Sequence, residues 1–157
     1  MIAEQAKDTP SVISYPPMVF LGALGAGWLL NWLFPLPPHV SLLWYVAGRI
    51  LSLCGTSLGL WGVYALHRAG THVRPELPVT ALVTDGPFRY SRNPLYVALT
   101  TIYVATIFYT GMWWLAVTLV PALAFVHWKI VMREEQYLES RFGENYRAYK
   151  ARVRRWI

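Results

Sequence analysis

The sequence predicts an all-α integral membrane protein with about four transmembrane helices and an amphipathic helix at its C-terminus. Hydrophobic residues make up 55% of the 157 residues and charged residues only 14%, well below the roughly 25% expected of a soluble domain. The eight Trp and ten Tyr have amphipathic rings that favour the bilayer interface. We therefore expect a single membrane domain over residues 1–157. Residues 1–66 contain two N-terminal spans, and residues 67–157 contain the polar motifs, a helical hairpin and the C-terminal helix.

Four apolar segments are predicted as spans, namely residues 18–34, 42–66, 95–109 and 112–132. The first ends at a cluster of three prolines in residues 35–38. A full crossing needs about 20 residues at 1.5 Å each, so the third segment is short. Because Thr110 and Gly111 turn it directly into the fourth, we interpret the two as a helical hairpin. Pro121 is predicted to kink the fourth helix, since it removes one hydrogen-bond donor.

The basic residues predict the orientation. Of the fourteen Lys and Arg, twelve precede the first segment, lie between the second and third, or follow the fourth. The connections at 35–41 and 110–111 have none, and Arg49 and Lys129 lie within segments. The positive-inside rule then predicts cytoplasmic N- and C-termini, in a bacterial inner membrane. This explains the pI of about 9.7 better than nucleic-acid binding, which requires a basic stripe interleaved with exposed aromatics.

Two polar stretches lie on the predicted cytoplasmic side, and neither resembles a simple linker. Residues 67–93 form a connection longer than the 12–15 residues beyond which a structureless loop is usually functional or disordered. In the C-terminal stretch, aromatic and apolar residues recur at spacings of 4, 3, 4 and 3, which is one face of a helix; they are Phe142, Tyr146, Tyr149, Val153 and Trp156. Such a helix suits the membrane surface or a lid over a site, and a helix that packs back on its own domain would show the same pattern.

Two short motifs carry groups suited to chemistry. The first is GPFRYSRNPLY at residues 86–96, where the third segment begins, and the second is Arg-Glu-Glu at 133–135, just past the fourth. A hairpin brings both to the same cytoplasmic end. Asn93 is predicted as a helix cap with Pro94 at the first helical position. The free N–H groups of that helix start are suited to bind a carboxylate.

The stretches TALVTDGPFRYSRNPLY and REEQYLESRFGENYRAYKARV together resemble the isoprenylcysteine carboxyl methyltransferase family, within a wider group that includes the phospholipid N-methyltransferases. The resemblance covers residues 71–156. It implies transfer of a methyl group from S-adenosylmethionine to a lipophilic acceptor, whose accepting atom is a carboxylate oxygen, an amine nitrogen or a thiol sulfur.

The resemblance also implies a set of site residues. The family's Arg-His-Pro-x-Tyr motif falls on Arg92, Asn93, Pro94, Leu95 and Tyr96. Of these, Arg92, Asn93 and Tyr96 are the implied catalytic residues. The stretch that lines the cofactor falls on Thr80, Ala81, Leu82 and Val83, with an aromatic at Phe88, and the family's acidic pair falls on Glu134 and Glu135. Glu134 is the better match to the glutamate that contacts the cofactor.

Three positions depart from the family pattern. Asn93 replaces a histidine, and asparagine cannot act as a base at neutral pH. Ala98 replaces a frequent glycine. The arginine on the substrate side aligns with Ile130, so Lys129 or Arg133 would have to stand in.

The chemistry of the cofactor agrees with these residue types. Glu134 suits its ammonium or ribose hydroxyls and Arg92 its carboxylate, while the rings of Tyr96 and Phe88 suit a sulfonium cation. Direct displacement depends mainly on holding the two reacting atoms in line. No metal is expected, because the four histidines lack carboxylate or cysteine partners at ligand spacing.

We expect the pocket at the cytoplasmic end of the hairpin, roofed by residues 67–93 and the C-terminal helix. The acceptor would enter from the bilayer and the cofactor from the cytosol. Two rival interpretations remain open from sequence: an NADPH-dependent membrane reductase of the sterol reductase type, and a non-catalytic membrane partner protein.

Overall fold

The computed structural model describes residues 15–71 and 80–157, and these residues form an all-α protein. The helices are α1 Pro16–Leu33, α2 Leu42–Arg68, α3 Pro94–Thr110, α4 Trp113–Phe125, α5 Met132–Phe142 and α6 Glu144–Arg152. A 3₁₀ turn, Gly86–Arg89, precedes α3, and a π-helical stretch, Val126–Val131, joins α4 to α5. Residues 72–79 of the predicted functional connection lie outside the described residues.

Three helices in the described residues are long and apolar enough to cross a membrane: Pro16–Leu33, Leu42–Arg68 and the continuous Trp113–Phe142. This confirms the predicted class of integral membrane protein. The predicted count of four is not confirmed, because α3 is apolar but has only 17 residues. At 1.5 Å per residue it is about 26 Å long, less than the hydrocarbon core of about 30 Å.

The fourth predicted segment, residues 112–132, ends before the helix that contains it. Its helix does not stop at Met132 but runs for 30 residues to Phe142, about 45 Å at the α-helical rise. Hydropathy falls at Met132 while the backbone stays helical, because a change to charged residues is not a helix stop. Pro121 lies inside this helix, and the departure from α-helical geometry begins at Val126.

The helices pack in pairs, α2 on α3 and α1 on α4. Three buried glycines of α2, spaced seven residues apart, give α3 room to approach; they are Gly48, Gly55 and Gly62. A Cβ atom at Gly55 would lie 2.9 Å from Cγ1 of Ile102 and 3.1 Å from the carbonyl oxygen of Ala98. Small residues let membrane helices approach closely, so these glycines serve packing within the chain.

The turn between α3 and α4 confirms the predicted hairpin. Gly111 has a φ of +64°, a left-handed conformation that suits glycine. Its carbonyl oxygen accepts a hydrogen bond from the backbone N–H of His39 at 3.4 Å. The indole N–H of Trp114 donates to the carbonyl oxygen of Phe34 at 2.7 Å. These contacts join the hairpin turn to the α1–α2 connection at the end of the molecule away from the two motifs.

The single C-terminal helix predicted through Trp156 is wrong in its extent. Gly143, with φ +53° and ψ −123°, separates α5 from α6, and α6 ends at Arg152. Tyr146 and Tyr149 are buried, so this part of the predicted apolar face packs back on the protein. Residues 153–157, which we call the C-terminal tail, lie beyond α6 and begin extended at Val153. Spacings of 3 and 4 alone do not distinguish such a tail from another helical turn.

Candidate active site

A single pocket brings the two motifs together at one end of the helices. Its walls include Ala81, Leu82, Val83, Phe88, Arg92, Asn93, Pro94, Leu95, Tyr96, Glu134 and Glu135. Every site residue singled out from the sequence lines it except Thr80. Thr80 is exposed, and its hydroxyl donates to the carbonyl oxygen of Gly70 at 2.9 Å. The predicted stretch 80–83 therefore faces the pocket only from Ala81 onward.

A hydrogen bond joins the two motifs at the pocket wall. The hydroxyl of Tyr96 donates to Oε1 of Glu134 at 2.8 Å. Pro94 occupies the first turn of α3, as predicted, and this places Tyr96 in the same turn. Glu134 lies in the first turn of α5. Tyr96 is buried and Glu134 half-buried, so this bond is shielded from much of the solvent but still borders the pocket.

Glu135, unlike Glu134, is paired with two arginines. Nε and Nη2 of Arg155 donate to its two carboxylate oxygens at 2.9 and 2.8 Å, a bidentate arrangement of the strong kind. Nη2 of Arg92 lies 3.2 Å from Oε1. The side chains of Glu135 and Arg92 are each only 7% exposed, so burial of the carboxylate is offset by two cations. Sequence reasoning missed Arg155, which looked like one more basic residue of the tail.

The guanidinium of Arg92 is only partly paired. Its Nε and Nη1 are buried and have no hydrogen-bond partner among residues 15–71 and 80–157. Leaving such donors unpaired away from water is costly, and buried polar groups are nearly always satisfied. Because Arg92 also lines the pocket, its free donors are suited to an anionic or oxygen-rich ligand.

Asn93 occupies the N-cap position of α3, as predicted, but its side chain makes no capping hydrogen bond. Its Nδ2 donates instead to the carbonyl oxygen of Arg155 at 3.0 Å, and its backbone N–H donates to Oγ of Ser91 at 3.1 Å. The capping hydrogen bond is absent because the side chain of Asn93 bonds to the C-terminal tail instead. Asn93 still lines the pocket and is buried.

The other departures from the family pattern lie away from the pocket. Ala98 and Ile130 are both buried in the protein interior. Neither Lys129 nor Arg133 is among the described residues that line the pocket. The side chain at position 98 packs near α2, since a Cβ at Gly59 would lie 3.5 Å from that of Ala98.

Two tyrosines of α6 complete the roof. The hydroxyl of Tyr149 donates to the carbonyl oxygen of Phe88 at 2.7 Å, which ties α6 to the loop above the pocket. Burial raises the pKa of Tyr146 to about 12; the nearby carboxylate of Glu135 adds to the effect, and the guanidinium of Arg92, beside the hydroxyl, opposes it. Tyr146 is therefore neutral at physiological pH. The helical periodicity marked both residues as an apolar face but did not indicate that they line a pocket.

The pocket fits the cofactor implied by the sequence. Apolar side chains of Ala81, Leu82 and Val83 suit a planar base. The carboxylate of Glu134 and the unused donors of Arg92 suit a ligand that carries charges of both signs.

Comparisons with known proteins agree with this geometry. The sequence profile of the phospholipid methyltransferase family matches residues 43–145, more than half of the chain. An uncharacterized protein of Haemophilus influenzae is 38% identical over 65 residues, which are 40% of this chain and the whole of that protein. No solved structure matches the chain. The family match favours a methyltransferase over both the reductase and the non-catalytic partner. The chain belongs to the phospholipid methyltransferase family, and it is an integral membrane enzyme that uses S-adenosylmethionine to methylate a lipid acceptor.

Proposed function

We propose that Arg92, Tyr96 and Glu134 bind S-adenosylmethionine in this pocket and direct its methyl group towards a phospholipid headgroup at the cytoplasmic face. The observation that carries the proposal is the 2.8 Å hydrogen bond from Tyr96 to Glu134. It joins the two polar motifs in a pocket where Arg92 has unused donors. The family's description supports a phospholipid as the acceptor.

Each polar residue has a distinct part in binding. Glu134 meets the ammonium or the ribose hydroxyls of the cofactor while it accepts from Tyr96, since a carboxylate has lone pairs for several donors. Arg92 donates from Nε and Nη1 to the cofactor carboxylate, a charge-assisted pair. When bound, the cofactor would supply an electrophilic methyl group: the acceptor's lone pair would bond to the methyl carbon as the carbon–sulfur bond breaks and the neutral thioether leaves.

The protein's contribution to rate is positional. Asn93 is not a base at neutral pH, and its amide is already bonded to the tail. Phe88 and Tyr96 border the pocket and favour a cation through their ring faces. Holding donor and acceptor in line at a reactive distance accounts for much of the acceleration of such displacements.

The distribution of charge supports the cytoplasmic orientation. Basic residues are concentrated at the pocket end of the helices, with Arg68 at the end of α2 and Arg89 before α3, and others follow in α5, α6 and the tail. Under the positive-inside rule, this distribution supports a cytoplasmic location for the pocket and for both termini.

The first two helices also contribute to the pocket. Tyr15, Pro16 and Leu66 line it where α1 begins and α2 ends. Both helices are long enough to span the bilayer, which supports entry of the acceptor from the lipid at this side of the pocket. In this proposal the two N-terminal spans (residues 1–66) and the cofactor-binding region (residues 67–157) form a single domain.

Calorimetric titration of the purified protein tests the binding site. S-Adenosylhomocysteine is expected to bind the wild type, and Glu134→Ala is expected to bind it about 10–100-fold more weakly, since a hydrogen bond to a charged group contributes about 1.5–3 kcal/mol. Glu139→Ala is the matched control, because Glu139 lies on the same helix and pairs with Lys150 outside the pocket. Unchanged affinity in Glu134→Ala, or tight binding of NADPH alone, would contradict the proposal.

A second experiment identifies the acceptor. Membranes that contain the wild-type protein are incubated with radiolabelled methyl donor and their lipids are separated, with Glu134→Ala membranes as the blank. Label in an aminophospholipid fraction is the expected result. Label only in a carboxyl-ester or thioether fraction would move the acceptor atom to oxygen or sulfur.

A further inference from the structure

The C-terminal tail is tied to the first motif through backbone atoms. The carbonyl oxygen of Arg154 accepts from the backbone N–H of Arg92 at 2.9 Å. The carbonyl oxygen of Arg155 accepts from Nδ2 of Asn93 at 3.0 Å and from Oγ of Ser91 at 3.4 Å. Three consecutive residues at the entrance of α3 are thus held by a segment from the far end of the chain.

The side chain of Arg155 adds a second kind of contact. It engages both carboxylate oxygens of Glu135, at 2.9 and 2.8 Å. Arg92 approaches the same carboxylate with Nη2 alone, at 3.2 Å, and its Nε and Nη1 have no partner among the described residues. The two arginines therefore share one buried carboxylate unequally.

This unequal sharing has a physical consequence for Arg92. A carboxylate as buried as Glu135 requires cationic partners, because an uncompensated buried charge is strongly unfavourable. As long as Arg155 satisfies Glu135 bidentately, Arg92 is not drawn into a full fork with it. If Arg155 were removed, Glu135 would compete for the remaining donors of Arg92.

We propose that Arg155 is a positioning residue for cofactor binding. By neutralising Glu135, it leaves Nε and Nη1 of Arg92 available to the carboxylate of S-adenosylmethionine. Glu135 then sets the direction of Arg92 and does not itself hold the cofactor, which refines the role carried over from the family for the acidic pair. The inference rests on the proposed function, since it requires Arg92 to meet the cofactor.

The test compares the affinity for S-adenosylhomocysteine of four variants of the full chain with that of the wild type. Arg155→Met is expected to bind about 10–100-fold more weakly, the loss typical when a hydrogen bond to a charged group is removed. Arg155→Met combined with Glu135→Gln is expected to recover much of that loss, because the neutral amide no longer competes for Arg92. Arg155→Lys is expected to be intermediate, since lysine keeps the charge but not the fork. Arg152→Met is the control, because Arg152 is exposed and its side chain bonds, among the described residues, to the carbonyl oxygen of Ala148.

Recovery in the double variant separates positioning from a general role in folding. A thermal unfolding scan accompanies each titration. Equal affinity of Arg155→Met and wild type would overturn the inference, and so would a double variant that binds more weakly than Arg155→Met. If Arg155→Met does not fold, Arg155→Lys and its combination with Glu135→Gln decide by the same criterion. Failure of the wild type itself to bind would instead overturn the proposed function.

Discussion

The two ends of the molecule are held together by different kinds of contact. At the pocket end, identified polar pairs connect segments far apart in sequence, such as Tyr96 with Glu134 and Glu135 with Arg155. In the membrane interior the helices meet mainly through small and apolar side chains, and at the opposite end aromatic rings pack beside hydrogen bonds to the backbone oxygens of Gly111 and Phe34. Gly55 lets α2 approach α3, and the ring of Trp44 stacks on Phe108 with centroids 4.7 Å apart.

This difference indicates how each half responds to substitution. Polar pairs depend on the identity of both partners, so a small chemical change at the pocket end alters binding. Apolar packing depends mainly on volume, so a change of size in the interior alters stability. Three predictions test this separation.

The largest effect on stability is expected from Gly55→Val. Its Cβ alone would lie 2.9 Å from a side-chain atom of Ile102 and 3.1 Å from the backbone oxygen of Ala98, and overpacking of this kind costs about 1–3 kcal/mol. The thermal unfolding midpoint in detergent should fall. The affinity of the folded fraction for S-adenosylhomocysteine should stay close to that of wild type, because Gly55 lies away from the pocket.

Gly22→Val is the matched control for this prediction. Gly22 lies on α1, and a Cβ there would meet nothing within 4 Å. Its unfolding midpoint should be unchanged or slightly raised, since valine favours a helix more than glycine does by a few tenths of a kcal/mol. Equal losses in the two variants would show that helix approach at Gly55 is not what makes valine unfavourable.

The sequence predicted the helices better than their ends. The apolar runs 18–34 and 42–66 became α1 Pro16–Leu33 and α2 Leu42–Arg68, because prolines and charges bound them. The end of the fourth segment was missed because the loss of hydropathy at Met132 reflects the membrane boundary and not the backbone. The helix stops at Gly143, whose positive φ is a property of the backbone that hydropathy does not report.

The placement of the site was predictable only where its residues lie near each other on the hairpin. Tyr96 and Glu134 meet because α3 and the following helix run in opposite directions from one turn. The contacts of Arg155 gave no signal in the sequence, because the carbonyl oxygen and guanidinium of an arginine in a basic tail look like those of its neighbours. The N-cap position of Asn93 is predictable from the sequence, but the hydrogen bond of its side chain to the tail is not, since that acceptor lies 62 residues away.

A smaller effect, expressed in binding, is expected from Tyr149→Phe. The change removes the hydrogen bond to the carbonyl oxygen of Phe88, whose net contribution is about 0.5–1.5 kcal/mol. Because Phe88 lines the pocket, the affinity for S-adenosylhomocysteine should fall severalfold. Tyr64→Phe on the exposed face of α2 is the control and should bind like wild type. Loss of stability in Tyr149→Phe without loss of affinity would place α6 outside the binding machinery.

The smallest effect is expected where a polar pair lies at the pocket end but outside the pocket. Glu144 and Arg147 form an ion pair at 2.8 Å, with side chains 82% and 54% exposed. Exposed pairs contribute little and are screened by salt, so Glu144→Gln should shift the unfolding midpoint little, and not at all in 1 M NaCl. Affinity for S-adenosylhomocysteine should be unchanged. A larger loss that persists in high salt would show that polar contacts stabilise this end whether or not they are buried, and the contrast between the two ends would then rest on charge and not on shielding from solvent.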